Sequence, residues 1–400
     1  GSHLKFRDFM KSPAYGGKDK MKTICLVSGS SPKFLGGISL YQRNLIEYAK
    51  EKKLDFQFSW VYPGKENKRY SFKGVNCIEV KSLKYPFVKE FDFARKAKKI
   101  IEKEHFDLIN THANWGYCLR RYKKKFNQRI IHTYHGVTVP YIKIQLKKFG
   151  VLKRTLMSPL ILSSYLLEKT PMKKANQIIC VSEKVKRDLE RTYWKREGMG
   201  VLRTGVDLKQ FKEIKSEQAR KDLKLERKTV YGLYSGRGGY WNKGLDRAVS
   251  IGKEIYAENK NFRLIVIGSD KAKCAEYLKE DFIIYRGLIG REQLSKYYSA
   301  CDFFFSLSRY EGGAPTLVVG EAMASGCFIV FSKDSEQEII GNEKEGLIID
   351  SFGKESAERI LSILGNKKKL NNIKEGARKR IKEFDLNSWG KKYFKVFEKL

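Results

Sequence analysis

Residues 230–332 constrain the fold most. Their two halves read VYGLYSGRGGYWNKGLDRAV and SRYEGGAPTLVVGEAMASGCFIVFS, and both follow one grammar. An apolar run leads into a glycine-rich turn carrying charged residues, and a helical pattern follows. Such a turn lets backbone N–H groups approach a phosphate, and the helix N-terminus adds partial positive charge. Arg237 and Lys243 place two cations beside the first turn, and Glu311 and Glu321 place two carboxylates near the second. Cations suited to phosphate, set against carboxylates suited to sugar hydroxyls, read as a nucleotide-sugar site.

The same grammar opens the chain. TICLVSGSS, starting at Thr23, is an apolar run ending in Gly and Ser, and the helical pattern of FLGGISLYQRNLIEYAKEK follows it. Ile38, Leu45, Ile46 and Ala49 share one face of that helix. Gly36 and Gly37 can bring backbone N–H groups to an anion. FQFSWVY, NCIEV, FDLIN, RIIHTYHG, QIICVS and MGVLRTG continue as short apolar runs between helical patterns. A second series begins near Ser216, with TVYGLYSG, FRLIVIG, FIIYRG, CDFFFSLS, CFIVFS and GLIID as strands. Alternation of this kind gives an α/β chain with two doubly wound, Rossmann-like parallel sheets. Ligands bind such sheets at the carboxyl ends of the strands. His112 and His135 both fall there. They are not spaced as a zinc motif and no Cys stands at ligand spacing, so no metal site is expected.

Composition bounds the partners. The chain of 400 residues has 81 Lys/Arg against 45 Asp/Glu, a formal charge of +36. Residues 1–20 read as a leader outside the fold, with Met21 as the natural start. That leader holds five Lys/Arg and two Asp, which leaves about +33 for the rest. A field of this sign favours phosphates, an anionic membrane face or nucleic acid. Seven cysteines, an odd number with no C-x-x-C pair, read as reduced buried thiols of a cytoplasmic protein. No run approaches 18 apolar residues, so no membrane-spanning helix is expected. Residues 141–174 carry eight Lys/Arg against Glu168 alone, among interleaved Leu, Ile, Phe, Tyr and Met. Lys143, Lys147, Lys148, Lys153 and Arg154 lie in its first part. Two readings stay open: an interfacial element on an anionic bilayer, or a helix pair packed on its own sheet with solvated lysines.

Six signposts in order carry a resemblance: GG at 36–37, TYHG at 133–136, VSEKVKRDL from Val181, TGVD at 204–207, SGRGGYWNKG at 235–244, and EGGAPTLVVGEAMASG at 311–326. From Met21 on, the chain resembles the retaining GT-B glycosyltransferases of glycosyltransferase family 4. The resemblance implies the GT-B fold, two Rossmann-like domains facing a cleft. It places an acceptor-binding domain at 21–203 and a nucleotide-sugar-binding domain at 204–385. A last helix, at about 386–400, returns to the first domain.

By the same resemblance, Arg237 and Lys243 bind the donor diphosphate and His135 lies against the donor sugar. Glu311 contacts that sugar, and Glu321 holds the ribose hydroxyls. Gly36, Gly37, Gly236, Gly313, Ala314, Pro315, Thr316 and Leu317 complete the donor-binding set. His112 and the basic residues of 141–174 are candidates for the acceptor or the membrane. The chain departs from the family in two places. Thr204 stands where members usually carry Asn, and nine residues rather than seven separate Glu311 from Glu321. Counting back from Glu321 at the usual spacing lands on Gly313, whose backbone then takes part of the role.

No D-x-D motif occurs, which fits a metal-independent enzyme with a nucleotide-sugar co-substrate and no cofactor. The expected activity is retaining transfer of a hexose-type sugar to a glycan or lipid-linked acceptor, at the cytoplasmic face of a membrane. Two alternatives remain at this stage: a basic nucleic-acid- or membrane-binding protein without turnover, and a nucleotide-sugar epimerase of the same fold.

Overall fold

The computed structural model describes residues 21–34, 36–85, 88–125, 127–236, 239–268 and 271–398. Residues 1–20 and Arg237 therefore lie outside the described residues. The chain divides into two compact units, Gly1–Arg203 with Asn387–Leu400, and Thr204–Leu386.

The first unit is built on β1 (Lys22–Val27), α1 (Gly37–Glu51), β2 (Phe56–Gly64), β3 (Lys68–Phe72), β4 (Val75–Lys81), α2 (Val88–Glu104), β5 (Leu108–His112) and β6 (Arg129–Tyr134). Then come α3 (Thr138–Leu146), α4 (Val151–Leu156), α5 (Ser158–Lys174), β7 (Gln177–Cys180), α6 (Glu183–Thr192) and β8 (Met199–Val201). Its sheet runs β3-β4-β2-β1-β5-β6-β7-β8, parallel throughout except for β3. Helices cover both faces of a parallel sheet, so its strands are apolar along their length rather than alternating. Ile24, Cys25, Leu26 and Val27 of β1 are all fully buried.

In the β3–β4 hairpin, β4 is the NCIEV run, whereas β3 leaves no clear mark in the sequence. Its turn is Lys73-Gly74, both at positive φ (49° and 70°), closing the Phe72–Val75 pair. This is the two-residue turn whose twist suits a hairpin, made here with Lys in place of the usual Asn or Asp. The strand KRYSF is too charged to stand out as an apolar run.

The second unit contains α7 (Ser216–Asp222), β9 (Val230–Gly236), α8 (Leu245–Glu258), β10 (Phe262–Gly268), β11 (Ile283–Gly287), α9 (Arg291–Ala300) and β12 (Phe303–Ser306). It continues with α10 (Leu317–Ala324), β13 (Phe328–Ser332), β14 (Leu347–Ile349), α11 (Lys354–Gly365) and α12 (Lys367–Ile381). Its strand order is β11-β10-β9-β12-β13-β14, all parallel. One apolar cluster lies on each face, around Phe262, Phe303 and Leu347 on one side and Phe304, Tyr298 and Ile329 on the other.

In both sheets the chain starts in the middle, moves to one edge, then crosses back. The direction reverses between β1 and β5 in the first sheet and between β9 and β12 in the second. The crevice at the carboxyl ends of the two strands flanking such a reversal is where doubly wound sheets bind ligands.

A last helix, α13 (Leu386–Glu398), supplies the aromatic residues Trp389, Tyr393, Phe394 and Phe397. In the first unit the Tyr41 ring of α1 meets Trp389 and Tyr393 edge-on, with centroids 4.8 and 5.9 Å away. Tyr393 OH lies 2.8 Å from Thr133 Oγ1 on β6. Gly390 lets the two helices approach, since a side chain there would collide with the Tyr48 ring.

Candidate functional site

In the second unit the loops after β9 and β12 are tied together at the sheet reversal. Arg309 N–H donates to the Asn242 carbonyl at 2.8 Å. Its guanidinium makes two bonds to the Asp246 carboxylate, 2.9 and 2.6 Å, and lies 4.0 Å over the Trp241 ring. That two-pronged geometry fixes orientation as well as distance. Gly244 closes the first loop at φ 74° and precedes α8. A Cβ there would run into the Leu307 carbonyl at the end of β12, so only glycine fits.

Within this frame Lys243 Nζ donates to Glu311 Oε1 at 2.6 Å. Ser308 Oγ donates to the same oxygen, also at 2.6 Å. Glu311 is mostly buried and Lys243 is 40% exposed, so the cation is the member open to an incoming anion. Gly236 is the last residue of β9. Arg237, beside it, is outside the described residues.

The loop from Gly312 to Thr316 delivers the chain into α10. Thr316 is its N-cap, and its hydroxyl accepts from Val319 N–H. The resemblance puts residues 313–317 in the donor-binding set, and the structure narrows the backbone donors among them. Pro315 has no N–H, and Thr316 N–H points to Gln337 Oε1 at 3.3 Å. Gly313, Ala314 and Leu317 are the backbone donors that stand for this role.

Glu321 is the fifth residue of α10, and it is 2% exposed. Arg291 donates to its Oε1 through Nε at 3.1 Å and Nη2 at 2.9 Å. Arg291 Nη1 also donates to Gln210 Oε1 at 2.8 Å, and the guanidinium lies 4.8 Å over Phe211. Burial pushes the Glu321 carboxyl up to about 7, against the opposing pull of Arg291. Neither Arg291 nor Ser308 stands out in the sequence. An Arg at the first position of a helix reads as a surface cation, and no spacing rule links it to a Glu thirty residues on.

In the first unit, Gly36 precedes α1 in extended conformation, and Gly37 is the first helical residue. No side chain caps this helix at Gly36. His112 ends β5 and His135 follows β6, and the structure brings them together. His112 Nδ1 is 2.9 Å from His135 Nε2, and His112 Nε2 is 2.8 Å from Asn110 Oδ1. Burial holds the His112 imidazolium well below its usual range and brings His135 down to about 3, so both rings are neutral.

Residues 141–174 form α3, α4 and α5. Lys143, Lys147, Lys148 and Lys153 are exposed. Arg154 differs from them: its guanidinium donates to the carbonyls of Leu146, Lys147 and Phe149 at the end of α3. It holds the α3–α4 turn, and so is less available to a headgroup than the four lysines. A groove of about 600 Å³ runs beside this segment, with Lys143 and Arg191 flanking Ile161, Leu162 and Tyr165.

Two family models tile the chain. One described as Glycosyltransferase Family 4 matches residues 35–210, and one described as Glycosyl transferases group 1 matches residues 215–380. The chain belongs to glycosyltransferase family 4. A curated relative, the alpha-monoglucosyldiacylglycerol synthase of Streptococcus pneumoniae, is 27% identical over 299 residues, covering 70% of this chain and 64% of that protein. The match thus spans a little under two thirds of the relative's length.

Among solved structures, sucrose-phosphate synthase from Thermosynechococcus elongatus superposes with a TM-score of 0.78 at 21% identity, over 94% of this chain and 98% of that one. Anabaena HepE in complex with UDP and glucose gives 0.69 at 17% identity, over 95% and 100%. These neighbours share the GT-B fold with this family 4 chain. Among its described residues no three His, Cys, Asp or Glu side chains gather as metal ligands, and no helix is long and apolar enough to cross a membrane. All seven cysteines are free and buried.

Proposed function

We propose that this family 4 chain transfers a hexose, with retention of configuration, from a nucleoside-diphosphate sugar to a hydroxyl of a lipid or lipid-linked glycan. UDP-glucose is the first donor to test, because one relative is a glucosyldiacylglycerol synthase and one structural neighbour binds UDP and glucose. The observation that carries the reading is the Lys243–Glu311 pair at the reversal of the second sheet.

Breaking a sugar–phosphate bond develops charge on the departing diphosphate. Lys243, Arg237 and the N–H groups of Gly313, Ala314 and Leu317 are the groups assigned to it. Gly236 leaves room for the diphosphate. Glu311 and His135 serve the sugar, and Glu321 the ribose, sharing its carboxylate with Arg291. The departing phosphate helps deprotonate the acceptor. In this reading fixed cations and helix dipoles do the work of a metal.

The acceptor preference rests on charge and on the lipid-acting relative. In this reading the first unit works against an anionic membrane at its cytoplasmic face, and the exposed lysines of residues 143–153 support it. The deciding experiment supplies labelled UDP-, GDP- and ADP-glucose to the enzyme with diacylglycerol in phosphatidylglycerol vesicles, with and without EDTA. Labelled glycolipid from one donor, undiminished by EDTA, is the expected result. Donor hydrolysis or epimerisation without lipid product overturns the acceptor assignment. No turnover of any donor, with salt-dependent binding of RNA, overturns the transferase reading.

A further inference from the structure

Asn110, His112 and His135 form a chain of hydrogen bonds whose direction is set at one end. Asn110 Nδ2 reaches the Ile131 backbone carbonyl at 3.4 Å. A carbonyl can only accept, so the amide must present Nδ2 to it and Oδ1 to the other side. Oδ1 faces His112 Nε2 at 2.8 Å, and Tyr393 OH donates to the same oxygen at 3.3 Å. An amide oxygen also only accepts, so the His112 proton sits on Nε2. His112 Nδ1 is then a lone pair, and the ring facing it at 2.9 Å must donate. The His135 proton is therefore on Nε2, and its Nδ1 is left as an acceptor.

The geometry supports a real bond between the rings. They are nearly coplanar, at 22°, with centroids 5.2 Å apart. With the facing nitrogens 2.9 Å apart, the rings meet edge to edge along the lone-pair direction rather than face to face. The Tyr41 ring packs perpendicular to His135, with centroids 4.7 Å apart. His112 is fully buried, so water does not offer a competing partner. Which ring nitrogen of a histidine carries the proton is set by the bond the other nitrogen makes. Here that bond leads back through two side chains to β6.

We infer that Asn110 and His112 are positioning residues that lock His135 in the Nε2–H tautomer, so that His135 Nδ1 accepts a hydrogen bond from a hydroxyl of the transferred sugar. The tautomer assignment stands on the geometry alone; the sugar contact rests on the proposed function. Neither Asn110 nor His112 touches the sugar, and each acts through His135.

Nitrogen-15 correlation spectra of the labelled, full-length, ligand-free enzyme read the tautomers directly. The expected spectrum shows Nε2–H for both His112 and His135. Nδ1–H at His135, or an averaged signal, overturns the inference. Asn110→Leu removes the acceptor at similar size. It is expected to average the His112 and His135 signals and to lower kcat/KM for the donor about 2- to 13-fold, the worth of one neutral hydrogen bond to the sugar. UDP binding is expected to remain intact, because UDP lacks the transferred sugar. Retained single tautomers in Asn110→Leu would overturn the relay even if activity fell.

The same spectra are then recorded with whichever of UDP-, GDP- and ADP-glucose raises the melting temperature. Movement of His135 Nδ1 supports the sugar contact. Unmoved signals with the tautomers as expected would leave the relay standing and overturn the contact.

Discussion

Lys243 and Glu311, 68 residues apart in sequence, share a 2.6 Å hydrogen bond at the sheet reversal of the second unit, with Ser308 on the same carboxylate oxygen. Without donor, the cation assigned to the diphosphate is held by the carboxylate assigned to the sugar. Lys243 Nζ has three donors and spends one of them on Glu311, so the others can meet an incoming diphosphate.

Lys243→Ala should therefore weaken UDP binding by the worth of one charged hydrogen bond, about 1.5–3 kcal/mol, which is roughly 10- to 150-fold in Kd. Ser308 still satisfies Glu311, so the melting temperature should change little. Titration calorimetry of the variant against UDP is the check, and an unchanged Kd removes Lys243 from the phosphate site.

Glu168 lies in α5 with its carboxylate fully buried. Oε1 accepts from Thr138 N–H at 2.8 Å, and Oε2 accepts from Tyr193 OH at 2.9 Å. Burial outweighs these bonds and raises the carboxyl from 4.5 to about 7. The folded protein thus holds a proton that the unfolded chain has already released. Its contribution is fully present below about pH 4.5 and is lost as pH rises through about 7. At about 1.4 kcal/mol for each pH unit between those two values, the loss is on the order of 3 kcal/mol. Glu168→Gln keeps an acceptor for Thr138 and carries no charge. Relative to wild type it should gain stability between about pH 5 and pH 8, and urea unfolding at the two values measures this. A constant difference between the proteins would show that Glu168 does not titrate in this range.

Gly244→Ala should be among the most damaging single-methyl changes in the second unit. It demands positive φ of an alanine and drives a Cβ into the Leu307 carbonyl. Strain of that kind costs about 1–3 kcal/mol before any clash is counted. Because the turn positions Lys243, the loss should appear in UDP affinity as well as in the melting temperature. A variant that melts lower but binds UDP normally would show that the turn and the site are independent.

The sequence shows its sheets more readily than its side-chain networks. TICLV, LIVI and FFFS are buried on both faces, so their apolar runs are unbroken and the strand alternation is plain. Charged KRYSF, at the sheet edge, leaves no such signal. His112 and His135 are legible by their place at strand ends, but the bond between them is not, since it depends on β5 and β6 being neighbours. Asn110 has a readable cue: it stands two residues before His112 in one strand, and alternate residues share a face. Arg291 has none, because its partner Glu321 is brought to it only by the packing of α9 and α10 around β12.

The α4 helix buries none of its side chains. Val151, Leu152 and Leu156 are 79%, 77% and 73% exposed, and Leu162 and Leu166 of α5 extend the apolar surface. Lys147, Lys148 and Lys153 are exposed in the same segment. Leu146 of α3 and Leu167 of α5 face inward, but the leucines of α4 do not. Apolar side chains with lysines among them instead suit the boundary between headgroups and acyl chains. The enzyme should bind phosphatidylglycerol vesicles at low salt and less well as salt rises, each lysine near the surface contributing about 1 kcal/mol. Leu152→Ser with Leu156→Ser should cut partitioning about a hundredfold or more, because each leucine buried in acyl chains contributes about 1.5–3 kcal/mol. Vesicle co-sedimentation separates the two contributions. Salt-insensitive binding would remove the lysines from the contact, and an unchanged double variant would remove α4.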